Sequence, residues 1–172
     1  MTKYFGLSRL TLCFGLYIII SASFIQQAWN FIKHTFGRYA SETFLLLLFC
    51  LVTLALLVYY IIRHRFSFPK LMLNVFFVFL AFLFAWRQQI FVEKMHVLEY
   101  GFLGWFAAKD LVSNGNKLIK PICRAIFFVF IIGAADEIFQ KYLPYRVGEI
   151  KDVCVNLLSS FLGITLFITD RK

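Results

Sequence analysis

The sequence predicts an all-α membrane protein, a compact antiparallel bundle of about six transmembrane helices. Three observations predict it. Of the 172 residues, 61% are hydrophobic and 16% charged, against roughly 25% charged in soluble domains. The mean hydropathy is +0.78. The apolar residues come in runs of 15 to 20, and crossing the hydrocarbon takes about 20 residues at 1.5 Å each.

The first segment runs from about Leu10 to Ile25, with a possible extension to Trp29. Lys3 and Arg9 precede it, and the small residues "SAS" at 21–23 resemble a signal-peptide cleavage site, which would leave five spans. The apolar stretch continues through Phe24, Ile25 and Ala28, which favours a retained helix. The second segment, Thr43 to Ile62, carries no charge in 20 residues. The third, Leu71 to about Trp86, begins just after Pro69, at a position where a helix tolerates proline. The fourth, His96 to Val112, is the least hydrophobic. The fifth runs from about Pro121 to Ala135 and the sixth from Val153 to Thr169. Short linkers make neighbours antiparallel. Residues 1–172 read as a single membrane domain, without a repeat or a soluble part.

The net charge of +9 is a membrane property here, because Lys and Arg collect at segment ends. No continuous basic patch and no glycine loop of the nucleotide-binding kind appears, which argues against nucleic acid as a partner. Cys13, Cys50, Cys123 and Cys154 lie singly, with no CxxC pair, and imply neither disulfide nor zinc. With both termini inside, 11 Lys and Arg fall in inside segments and seven outside, five of those seven beside polar clusters. Basic residues of short loops prefer the cytoplasm. The expected location is therefore the bacterial cytoplasmic membrane, multi-pass, with both termini cytoplasmic.

Two polar clusters interrupt this pattern. In "RQQIFVEKMHVLEYGFLG", Arg87 to Gly104, helical spacing places Glu93, His96 and Tyr100 on one face with Glu99 at its edge. In "DEIFQKYLPYRVGEIKDVCVN", Asp136 and Gln140 are one turn apart, and Gly133 precedes them on the same side. Asp152, Asn156, Ser159 and Gly163 form a stripe along the sixth segment. The first cluster opens segment four, and the second closes segment five and opens segment six. An antiparallel bundle brings these three ends to one side, facing away from the cytoplasm. Ionisable groups at membrane depth cost about 2.5–3.5 kcal/mol, so Glu99, Asp136, Glu137 and Asp152 need partners. Lys94, His96, Arg146 and Lys151 are the candidates. Ion pairs that merely hold helix ends together are the plain alternative, and the glycines and serines there are then close-packing positions.

These residues resemble the VanZ-like family of small bacterial membrane proteins over about residues 87–165. The pattern is approximately EKxxHxxEYxxLG, then DExxQxxxPxR, then DxxxNxxGxxxG. Glu93, Lys94, Glu99, Tyr100, Leu103 and Gly104 match the first part; His96 sits one position earlier than that pattern and fits the form EKxHxxEY better. Asp136, Glu137, Gln140, Pro144 and Arg146 match the second. Asp152 and Asn156 match the third, where Ser159 or Ser160 stands for a usual glycine. The resemblance implies a role in the cell envelope, in a family named for a protein linked to low-level teicoplanin resistance.

The leading expectation is an outward-facing polar pocket that binds a lipid headgroup or a lipid-linked envelope precursor. Its residues are Glu93, Lys94, His96, Glu99, Tyr100, Asp136, Glu137, Gln140, Arg146, Asp152 and Asn156. Arg146 and Lys94 would meet phosphate or carboxylate, arginine in a bidentate manner. The alternative is an intramembrane acid–base enzyme in which His96 and one of Glu93, Glu99 or Asp136 transfer protons, or a small transporter loaded through carboxylates at helix ends. Neither GxSxG nor HExxH is present. No cofactor is expected, and a lone histidine without cysteine partners is a poor transition-metal site.

Overall fold

A computed structural model describes residues 3–4, 6–63, 68–87, 91–112, 118–144 and 149–170. Among them the architecture is all-α, with seven helices and a two-stranded N-terminal hairpin. Strand β1 (Lys3–Tyr4) pairs antiparallel with β2 (Leu7–Ser8), and Gly6 adopts φ 85° between them. Only a residue without Cβ enters that left-handed region at little cost.

Helix α1 (Arg9–Ser21) starts from Ser8, whose hydroxyl accepts from the Thr11 N–H at 3.3 Å. Such a cap satisfies one of the donors a helix start leaves unpaired. Its buried positions, Thr11, Gly15, Ile18 and Ser21, recur at helical spacing. Gly15 faces Ile132 and Phe128, close enough that a Cβ would lie 3.2 Å from the end of the Ile132 side chain.

The first apolar segment is not one helix. It breaks at residues 22–24 and bends by 60° into α2 (Ile25–Phe36), which extends well beyond Trp29. The small residues at 21–23 explain the break. Ser21 and Ser23 donate their hydroxyls to the carbonyls of Ile18 and Ile20 at 2.8 and 2.7 Å. Serine bonded back to its own helix bends it and competes with the backbone ladder. Gly37, at φ 81°, separates α2 from α3 (Arg38–Arg63). Helix α4 (Phe68–Arg87) carries Pro69 in its first turn.

Helices α5 (Phe91–Leu111), α6 (Ile119–Lys141) and α7 (Ile150–Asp170) build the centre. Gly101 meets Ser159, Gly104 meets Ser160, and the Trp105 ring stacks edge-on to Phe167 at 6.1 Å. Both positions advance together, so α5 and α7 run parallel. A Cβ on Gly163 would overlap the Gly101 carbonyl, and one on Gly104 would overlap the Ser160 backbone. Small residues at these four positions let two backbones touch, the packing mode that serves where dispersion must replace hydrophobic collapse. Helix α6 runs against both, with Asp136 beside Tyr100 and Glu137 beside Glu149. Tyr100, Leu103, Ala107, Ala108, Ala125, Val129 and Ile164 fill the space between, joined by Ile18 of α1.

Helices α5, α6 and α7 begin earlier or end later than hydropathy predicts. Asp136, Glu137 and Gln140 belong to the last turns of α6, beyond the apolar segment's end at Ala135 and at the helical spacing the sequence predicts. A hydropathy boundary marks where charge begins, but the backbone ladder continues through charged residues that find neighbours to bury against. By length and composition, α7 from Ile150 to Thr169 qualifies as a membrane span among the described residues, with mean hydropathy 1.7. The bent pair α1–α2 qualifies only jointly. The described residues thus form seven helices, of which α7 and, jointly, the bent pair α1–α2 meet the length and apolarity of a span.

Candidate functional site

The site forms where the start of α5, the end of α6 and the start of α7 meet. Helical spacing puts His96, Glu99 and Tyr100 on the inner side of α5, all buried. One turn apart on α6, Asp136 and Gln140 face them, with Glu137 alongside, and all three are buried. From α7 comes the buried Asn156. Gly133 makes the convergence possible: a Cβ there would be 3.6 Å from the Tyr100 ring and 3.8 Å from Asn156.

The geometry centres on Asp136. The Tyr100 hydroxyl donates to Asp136 Oδ2 at 3.1 Å. His96 Nε2 lies 3.9 Å from the same oxygen, and His96 Nδ1 lies 3.3 Å from Glu99 Oε2. The imidazole therefore stands between two carboxylates, its ring edge-on to Tyr100 at 5.8 Å. Glu137 Oε2 accepts from the Glu149 N–H at 3.0 Å, which fastens the end of α6 to the start of α7. Glu99 and Glu137 lie within electrostatic reach of the Tyr100 hydroxyl.

Some of this polarity is left without hydrogen bonds. Glu99 Oε1 and Oε2, Glu137 Oε1 and Asn156 Nδ2 are buried and form none. Leaving a buried polar group unsatisfied costs about 1–3 kcal/mol, more for a charged one. Such groups are places where a bound water or polar ligand can add hydrogen bonds.

Of the residues expected from sequence, His96, Glu99, Tyr100, Asp136, Glu137, Gln140 and Asn156 come together. Lys94 and Asp152 are half-buried at the same end. Glu93 is on α5 with its side chain outside the described residues, and Arg146 lies outside them altogether. One contributor had no sequence signal, the backbone N–H of Glu149, which donates to Glu137.

Chemically, the arrangement offers an imidazole between carboxylates and a phenol hydroxyl, suited to proton transfer or to holding a polar group. All four cysteines are exposed, so no thiol enters it. Among the described residues, no three His, Cys, Asp or Glu converge as metal ligands. In comparisons with known proteins, no family model, no curated protein and no solved structure matches this chain.

Proposed function

We propose that the chain is a multi-pass protein of the bacterial cytoplasmic membrane, VanZ-like in its motifs, that binds a lipid headgroup or lipid-linked envelope component. Binding takes place at the joined ends of α5, α6 and α7. The observation that carries the reading is the set of buried groups without hydrogen bonds, on Glu99, Glu137 and Asn156. A membrane setting is supported by the exposed apolar surface. Phe44, Leu47, Leu51 and Leu54 of α3 and Phe127 of α6 are each at least 60% exposed, an arrangement that water disfavours and lipid accepts. The uncharged run from Thr43 to Ile62 is long enough to span. By this reading the polar end faces away from the cytoplasm, and the envelope role implied by the motif resemblance, including teicoplanin resistance, belongs to that surface.

The test is native mass spectrometry of the protein released from membranes, beside Asp136→Asn. The expected result is one lipid class retained by the original and lost by the variant at equal folded yield. Equal carriage of bulk lipid by both proteins contradicts the reading.

A second reading has its own observation. His96 lies between Glu99 and Asp136 at 3.3 and 3.9 Å, so that a small side-chain movement brings it to the roughly 2.6–3.2 Å an acid–base catalyst needs. If this pair performs chemistry, the retained lipid is altered by the original protein and unaltered by His96→Gln.

A further inference from the structure

We infer that the group held in this cluster is a protonated primary amine, such as the ammonium of an ethanolamine headgroup, and not a phosphate. This deepens the headgroup reading and rests on it. Three carboxylates, on Glu99, Asp136 and Glu137, are buried at one end of the three-helix unit. His96 lies between two of them. The carboxyl groups of the cluster thus outnumber the one basic side chain described among them. Lys94 is half-buried, and Lys141 and Lys151 are exposed, so the described lysines of this end do not enter the interior.

The second observation is independent of charge. Glu99 Oε1 and Oε2 and Glu137 Oε1 are buried oxygens that accept no hydrogen bond. An ammonium carries three N–H donors and no acceptor. It therefore complements these acceptors in number and in sign. A phosphate brings only acceptors and further negative charge, so it would leave the same oxygens unmet and repel them. Asn156 Nδ2 completes the match as a buried donor lacking an acceptor, beside Gly133 and Tyr100. It suits an oxygen adjoining the amine, such as a phosphate ester oxygen.

Two sources can supply such an amine, a lipid headgroup or a soluble alkylamine. The test is native mass spectrometry of the full chain in detergent micelles with four probes: dioleoyl phosphatidylethanolamine, its N-acetyl derivative, dioleoyl phosphatidylglycerol and free ethanolamine. N-acetylation removes the ammonium, keeps the phosphate and leaves the protein untouched. The expected result is binding of phosphatidylethanolamine at least about tenfold tighter than of the other two lipids, with that preference lost in Glu99→Gln. Displacement of the lipid by free ethanolamine supports the inference with a soluble amine as source, and failure to displace supports it with the lipid as source. Equal binding of phosphatidylethanolamine and its N-acetyl form overturns the amine inference and leaves headgroup binding standing. Absence of any lipid preference overturns both.

Discussion

The two ends of α5 each bind a carboxylate-bearing turn to a neighbouring element, and they do so in opposite ways. At the C-terminal end, Asp110 Oδ2 accepts from the Ser8 N–H at 2.7 Å and from the Thr11 hydroxyl. Ser8 and Thr11 also bond to each other at 3.1 Å, so the carboxylate closes a small network with the N-terminal hairpin. Three turns back toward the other end, about 16 Å away along a helix of 1.5 Å rise, Glu99 keeps two buried oxygens without a hydrogen bond. A carboxylate whose partners come from the chain's own backbone and hydroxyls is a latch. One that is buried with no hydrogen bond, and only an imidazole 3.3 Å away, retains capacity for something else. The same residue chemistry thus serves folding at one end of the helix and, in our reading, recognition at the other.

The contrast can be broken or sharpened by substitution, starting with the frame that separates the two ends. Gly163→Ala places a methyl against the Gly101 carbonyl. Backbone cannot rotate away as a side chain can, so α5 and α7 must part. The expected loss is about 3 kcal/mol, the upper end of overpacking costs, visible as a large fall in unfolding midpoint and folded yield. Both ends should suffer together.

Asp110→Ala acts on one end. It strands the Ser8 N–H and the Thr11 hydroxyl, for an expected cost of about 2 kcal/mol, and leaves lipid retention unchanged. If lipid retention falls as far as stability does, the latch and the site are not separate.

Glu99→Gln should give the reverse pattern. Retained lipid falls, while stability changes by about 1 kcal/mol or less, because the amide is isosteric, the carboxyl has no hydrogen bond to lose, and the His96 ring 3.3 Å away can still face an amide oxygen. Thermal unfolding and lipid retention measured on one preparation check both halves.

The smallest effect is expected away from both ends. Arg38 Nε donates to Glu42 Oε1 at 2.9 Å on the exposed start of α3. The guanidinium hydrogen bond holds the Glu42 carboxyl below its ordinary value, with Lys94 and Lys33 adding in the same direction. A lowered folded value means that the pair contributes above the ordinary carboxylate range and fades as pH falls through it. Both groups are in water, so Arg38→Ala should leave the unfolding midpoint unmoved at neutral pH.

How much of this was readable from residues alone differs between the two ends. The polar end was legible because helical spacing sets His96 near Tyr100 and Asp136 near Gln140, and an alternating chain brings the three helix ends to one side. The latch was not. Asp110 and Ser8 are separated by 102 positions, and no local periodicity encodes such a pairing. The break after Ser21 was hidden for a related reason. Small residues in an apolar run fit a straight span, a cleavage site and a bent pair equally well, until the serine hydroxyls are seen to bond back to Ile18 and Ile20. The apolar segment drawn to Ala135 stops short of the end of α6 at Lys141, because hydropathy reports the solvent a residue prefers and not the backbone conformation it adopts.

The most direct test of the central claim compares Glu99→Gln with Asp110→Asn in one experiment, recording unfolding midpoint and retained lipid for each. The account predicts a crossed result: Glu99→Gln loses the lipid and keeps its midpoint, and Asp110→Asn keeps the lipid and loses midpoint. A parallel result, with both variants less stable and both carrying the lipid of the original, would contradict it and make the two ends of α5 alike.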